Sequence, residues 1–342
     1  MKFLKKRTAV VAAAALAVSV MGQAAVMSPA SAVTDIRLGI PGQQVVTAPT
    51  AYALGKGIFA RNGLNPTVTV LAGPEIVPQL SAGRVDFAYL TIVQALQART
   101  NAGIDLRIVL ASDGFSPNQA ARASKDRAYA KIIDPSGFCA KPSITRPRDL
   151  NGKKVAVGVR NSFPELVIGD AMRKDGGDPS TVQWVVVGPT QVVPGIVNGT
   201  IDAGYTGSGF SPACEQNGQR QIASPVVDVL SPTGGPVTVW VTTAAYAKAN
   251  PKIVQSFQKS MYQTALLLNR PDRVAMKEAI VAGVAYSKAP LESALATNMP
   301  FYFSSLTRAQ VQKWADLAQA AGQVTSAPDV RGILLVQPKT IK

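Results

Sequence analysis

Most groups in this chain that could hold a small molecule fall where a predicted strand gives way to a predicted helix. They are Gln43-Gln44, Gly73-Pro74-Glu75, Arg160-Asn161-Ser162-Phe163 and Thr206-Gly207-Ser208, with Thr91 and Thr190 at two further helix starts. Such junctions expose N–H groups that the helix leaves unpaired, beyond the carboxyl ends of the strands. Arg160 to Phe163 is the strongest of them: Ser162 can cap or donate, while Arg160 can pair with an anion through charge-assisted bonds. The alternative there is an ordinary helix cap with Arg160 in solvent. Glu75 in a cleft would favour an amine or heterocyclic N–H over a sulfonate; otherwise it is a first-turn carboxylate stabilising its helix. Tyr89, Tyr205, Phe163 and Phe210 can stack on a planar ligand or serve equally as core. Asp86 and Asp202 each follow a Gly-x-[Val/Ile] turn, which points to a structural role leading into a strand.

What is missing narrows the chemistry further. The sequence contains no histidine, which removes Ser–His and Cys–His catalysis, His-ligated metals and the usual base near neutral pH. Two cysteines cannot build a Cys₄ zinc site. The expectation is a non-enzyme without metal or cofactor. Cys139 and Cys214 do not form a CxxC pair, and in an oxidising compartment they would form one disulfide.

That compartment is read from the first 32 residues. Lys2, Lys5, Lys6 and Arg7 precede the apolar run Thr8 to Met21, and Ala30-Ser31-Ala32 forms a small-residue cleavage site, so residues 1–32 read as a cleaved Sec-type signal peptide. No cysteine lies near that site, so a lipid anchor is not expected there. Removing those four cations, with no acid among them, lowers the formal net charge from +15 to +11. A basic surface favours anionic ligands, but the Lys and Arg are scattered, without the aromatic-interleaved stripe of a nucleic-acid binder. With 342 residues, 47% hydrophobic and 16% charged, the chain is long enough for two domains and too apolar for disorder. No later apolar run reaches the roughly 18 residues needed to span a bilayer.

The elements that position these residues repeat. Pro78, Leu80, Gly83, Val85, Asp86 and Tyr89 are matched, 116 residues on, by Pro194, Ile196, Gly199, Ile201, Asp202 and Tyr205. A period this long implies two similar α/β lobes rather than a solenoid. The first repeat predicts strands at 36–40, 68–71, 86–89 and 106–111 with helices at 49–61, 75–82 and 91–101. The second predicts strands at 154–158, 184–187 and 201–204 with helices at 164–174 and 190–197. Alternation of this kind implies a mostly parallel sheet in each lobe. Residues 237–242 read as a strand returning to the first lobe, followed by a helical third in which Phe257, Met261, Tyr262, Ala265, Leu266, Trp314, Leu317 and Ala318 are expected core. Crossings between lobes fall near 112–114 and 233–236.

Leu54-Gly55-Lys56-Gly57-Ile58-Phe59 with Asn62-Gly63-Leu64, then Ser81 to Ala88, then Arg148-Asp149-Leu150-Asn151-Gly152-Lys153-Lys154-Val155-Ala156-Val157-Gly158, resemble in order and spacing the motifs of the NitT/TauT (NMT1/THI5-like) substrate-binding proteins. The resemblance covers about residues 35–240. It implies a type II periplasmic binding protein fold: two α/β lobes around a ligand cleft, with lobe 1 formed by 33–113 and 237–342 and lobe 2 by 114–236. It also implies a monomeric extracytoplasmic protein, periplasmic or secreted, that hinges shut on a small molecule and delivers it to the permease and ATPase of an ABC importer. Family ligands are sulfonates, nitrate or bicarbonate, and thiamine-pyrimidine precursors. A secreted sensor domain and, further off, an enzyme on the same fold are the competing readings.

Overall fold

The computed structural model describes residues 33–134, 137–207 and 211–335. The signal peptide reading, Ser208 and Phe210 lie outside the described residues. No helix among the described residues is long and apolar enough to cross a membrane.

The strands are β1 (Thr34–Ile40), β2 (Leu64–Val70), β3 (Phe87–Thr91), β4 (Leu106–Ala111), β5 (Asp113–Phe115), β6 (Phe138–Ala140), β7 (Lys154–Val157), β8 (Gln183–Val186), β9 (Ala203–Tyr205), β10 (Arg220–Gln221), β11 (Gly235–Pro236), β12 (Thr238–Thr243) and β13 (Phe301–Tyr302). They form two five-stranded sheets, ordered β2-β1-β3-β12-β4 and β8-β7-β9-β6-β10. In each, three parallel strands lie beside an antiparallel fourth. The sequence repeat is therefore a repeat of topology, and the chain has a two-lobed α/β architecture.

The two repeat aspartates do the same job in each sheet. Asp86 accepts the Arg37 backbone N–H at 2.7 Å and pairs with its guanidinium at 2.6 Å. Asp202 accepts the Lys154 backbone N–H at 3.0 Å and pairs with Lys141 at 2.6 Å. Each carboxylate ties the turn before the third strand of its lobe to the backbone of the first. The structural role expected from their spacing is what the geometry shows.

The first helix, Gln44–Gly55, begins five residues before the predicted start because Pro49 lies inside it. A proline within a helix leaves the carbonyl four residues earlier without its donor. Here that carbonyl, on Val45, accepts the Tyr302 hydroxyl at 2.7 Å, so the helix continues. The returning strand β12 inserts antiparallel between β3 and β4. Behind this sheet Phe257 stacks on Phe87, centroids 4.1 Å apart, and lies edge-on to Trp240. Burial of side chains this large contributes about 1.5–3 kcal/mol each. Met261, Ala265, Trp314 and Ala318 are buried as expected, whereas Leu266 is 52% exposed and Tyr262 and Leu317 are only half-buried. The buried face of the Pro251–Leu268 helix runs 254, 257, 258, 261, 264, 265, 268, and position 266 is off it.

Cys139 and Cys214 form a disulfide that joins β6 to the helix Ser211–Gln216. Closing a loop of 75 residues stabilises by roughly 4 kcal/mol in the chain-entropy description.

The chain passes between the sheets through a small third sheet, β11-β5-β13. The backbones are so close here that a Cβ on Gly114 would lie 2.2 Å from the Gly235 carbonyl oxygen and 2.7 Å from Pro236 Cα. Neither neighbour is a flexible side chain, so Gly114→Ala must push strands apart. It is expected to lower stability by about 1–3 kcal/mol, read as a lower chemical-denaturation midpoint; an unchanged midpoint would show that the crossing yields freely.

Candidate functional site

Between the carboxyl ends of both parallel sets of strands lies a cavity of ≈ 420 Å³. That size is near the lower end of the roughly 300–1,000 Å³ range of small-molecule sites. One side is made by residues after β1 and β3, namely Pro41, Gln43, Val45 and Thr91, with Gly73 and Pro74 from the turn after β2. The other is made by Gly158 to Pro164 after β7 and by Tyr205 at the end of β9. The crossing strands and their flanks supply Asp113, Gly114, Phe115, Val237 and Thr238. Sequence repetition thus places the same topological positions of two lobes face to face.

Several helices start at this cavity, and their first N–H groups are treated differently. Thr91 accepts the Gln94 N–H at 3.1 Å and Gln94 returns the bond to Thr91, so the Ile92–Thr100 helix is capped. Asp134 accepts the Val226 and Val227 N–H groups at the start of Pro225–Leu230. Glu75 turns onto its own helix start, accepting the Ala72 N–H at 3.0 Å. The helices that follow the first strand of each lobe are different. Neither Gln43, before Gln44–Gly55, nor Ser162, before Phe163–Lys174, makes a side-chain cap. Ser162 Oγ is buried and has no hydrogen-bond partner among the described residues, although serine at a helix start normally accepts a backbone N–H.

Arg160 lines the cavity with part of its guanidinium already engaged. Its Nε donates to Glu165 Oε1 at 2.8 Å, so its charge is answered within the first turn of the same helix. Asn161, at φ 53°, offers its carbonyl to Gln97 Nε2 at 2.9 Å. Gln323 Nε2 donates to the Ser162 carbonyl at 3.1 Å and its Oε1 accepts from Gln97 at 3.3 Å, so two glutamines link this loop to the other lobe and the C-terminal third. Phe163 lines the cavity and also packs on Trp314, with centroids 5.5 Å apart. Tyr89 and Tyr205 line it as well, Tyr205 resting against Phe138.

Other expected residues point elsewhere. Gln44 is buried against the Val274–Ser287 helix, donating to the Ile280 carbonyl at 2.7 Å and accepting from Ser287 at 2.7 Å. Thr206 is buried and donates to the Gly137 carbonyl at 3.0 Å. Thr190 is exposed and lines a separate open hollow of ≈ 330 Å³ beside the Pro189–Val197 helix. Gln44, Glu75, Thr190 and Thr206 are therefore not among the residues that line the cavity.

Sequence reasoning missed Asp113, read only as part of a crossing. It is 7% exposed and lines the cavity. Its Oδ1 accepts the Thr238 hydroxyl at 2.6 Å and the Tyr89 hydroxyl. Burial pushes its carboxyl up to about 6, against the lowering effect of those two hydroxyls. Burial likewise raises Tyr89 well above the usual phenol range, helped by the adjacent carboxylate. The available signal was an acid directly after an apolar strand, where solvated loop residues are usual.

The profile of the family described as NMT1/THI5 like matches residues 129–273. The taurine-binding periplasmic protein of Escherichia coli (strain K12) is 26% identical over 132 residues, 38% of this chain and 40% of that relative, so the match spans two-fifths of its length. The alkanesulfonate-binding protein SsuA from Xanthomonas axonopodis pv. citri, bound to MOPS, superposes with TM-score 0.67 at 19% identity, covering 90% of this chain and 99% of that one. The periplasmic nitrate-binding protein NrtA from Synechocystis PCC 6803 gives 0.65 at 13%, covering 88% and 85%. Fold and cleft together are those of a two-lobed α/β protein with the periplasmic binding protein fold. The profile match includes the Arg148 to Gly158 motif and not the two first-lobe motifs.

A carboxyl with a raised folded pKa holds its proton more tightly folded than unfolded, so its contribution to stability falls as pH rises from about 4 through about 6. Asp113→Asn can still accept both hydroxyls and removes the desolvated charge. Without ligand it is expected to melt above wild type at pH 7.5, with the gap closing below pH 4; a lower melting temperature at pH 7.5 would mean that the charge supports the fold.

Proposed function

We propose that this protein is the extracytoplasmic solute-binding component of an ABC importer. It captures a small organic molecule between its lobes and presents it to a permease driven by an ATPase. The carrying observation is the pair of uncapped helix starts at Gln43 and Ser162, one from each lobe, both lining the cavity. Unpaired N–H groups at a helix start attract negative charge, and two such ends facing one space suit an anionic, sulfonate-like head. The unpartnered Ser162 hydroxyl adds a donor at the same place. A head held by both lobes favours the closed arrangement, because an open cleft offers it only one helix start. The crossing sheet around Gly114 is the hinge on this reading.

What the relatives bind agrees with a ligand bearing an anionic head: taurine, alkanesulfonates and nitrate. A volume of ≈ 420 Å³ suits an organic body behind that head better than a bare inorganic ion. The signal-like residues 1–32 support export, and the protein performs capture without turnover.

The test is native mass spectrometry of protein purified without refolding, followed by melting scans with sulfonates, inorganic anions and pyrimidines. Capture predicts an intact small molecule released on denaturation, or an upward melting shift with an alkanesulfonate. Ser162→Ala is expected to weaken alkanesulfonate binding by about 3–10-fold, the worth of one hydrogen bond. Neither an adduct nor a shift with any of these compounds would overturn the reading.

A further inference from the structure

Three charged residues line the cavity: Asp113, Asp134 and Arg160. Two of them have their charge engaged by the protein. Arg160 is paired with Glu165, and Asp134 accepts two N–H groups at the start of the 225–230 helix. Asp113 is different. The hydroxyls of Tyr89 and Thr238 bond the same oxygen, Oδ1. Its backbone N–H donates to Thr238 Oγ1 at 3.0 Å, closing a small ring that fixes the side chain's orientation. None of the hydrogen bonds from Tyr89, Thr238 or the backbone ends on Oδ2, and the one further polar neighbour acting on the carboxylate among the described residues is the adjacent Ser112 hydroxyl. No cation pairs with Asp113 among them either.

A buried carboxylate without a cation beside it is costly, and proteins rarely keep one for packing alone. Removing the charge would be simple, since an amide keeps the same two bonds on its oxygen. The residue is also rigidly held on the strand that crosses between the sheets, on the wall of the space described above. A held acceptor on the wall of a cavity selects for a donor. It also rejects ligands that would bring a second negative charge or an apolar group against it.

We propose that Asp113 is a specificity-determining residue of the cleft, its Oδ2 accepting a hydrogen bond from a protonated amine or ring N–H that the ligand carries in addition to its anionic head. This rests on the capture reading above. The ligand class is then a small zwitterion or an N–H-bearing heterocyclic anion, rather than a plain alkanesulfonate or an inorganic anion. Tyr89 and Thr238 are positioning residues that act through the carboxylate.

The experiment is calorimetric titration of the purified full chain with three probes of equal chain length: an alkanesulfonate, its ω-amino counterpart and the corresponding alkylamine. The aminosulfonate is expected to bind about 10–100-fold more tightly than the alkanesulfonate, the range for a hydrogen bond to a charged group. In Asp113→Asn that advantage disappears while alkanesulfonate affinity holds or improves. An alkanesulfonate that binds wild type as tightly as the aminosulfonate would overturn this inference and leave the capture reading standing. An advantage that survives in Asp113→Asn would also overturn it. Binding of none of the three would count against the anionic-head reading itself, and this inference with it. Should Asp113→Asn fail to fold, the wild-type ratio still decides.

Discussion

A helix begins with backbone N–H groups that it cannot bond itself, and the helix starts around the cavity dispose of them in different ways. Thr91 and Gln94 satisfy one start, Asp134 another, and Glu75 turns back onto a third. The starts after β1 and β7 are left without side-chain caps, although a serine stands at one of them. Leaving a cap unmade typically forgoes about 1 kcal/mol. That sacrifice occurs at equivalent places in both lobes and on the same cavity, which is where a ligand would recover it.

Everything that aims these two starts at one another follows from the duplicated sheet. Asp86 and Asp202 each tie the third strand of a lobe to the first, so the segments beyond the strand ends are held in register. The lobes then diverge. The first receives β12 and the C-terminal helices, with Phe257, Phe87 and Trp240 packed behind its sheet. The second has a smaller core and a disulfide between β6 and the neighbouring helix. Trp314 and Gln323 carry the C-terminal third back across to Phe163 and Ser162, so the last part of the chain touches the loop that faces the ligand space.

Much of this was legible in the residues. The 116-residue spacing announced two lobes, and its Gly-x-[Val/Ile]-Asp turns were correctly read as structural. The strand returning at Val237 was visible as a β-branched run, and the two cysteines as a staple. Side-chain direction was not legible. Gln43 and Gln44 are adjacent, yet a helix that begins at Gln44 sends one to the cavity and the other to Ile280. Arg160 lines the cavity, but the sequence does not show that Glu165, five residues on, also bonds its guanidinium. Asp113 was overlooked because its burial depends on Tyr89 and Thr238, which are 24 and 125 residues away. Local pattern reports which face of an element is apolar; it does not report which polar groups meet across the fold.

The central claim is that one small molecule is held by helix starts from both lobes at once. A crystal structure with an alkanesulfonate bound tests it most directly. The account predicts sulfonate oxygens within hydrogen-bond distance of first-turn N–H groups of both the 44–55 and the 163–174 helices, with the Ser162 hydroxyl donating to one of them. A sulfonate held by a single lobe, or by Arg160 after release from Glu165 with the two helix starts left facing solvent, would contradict it.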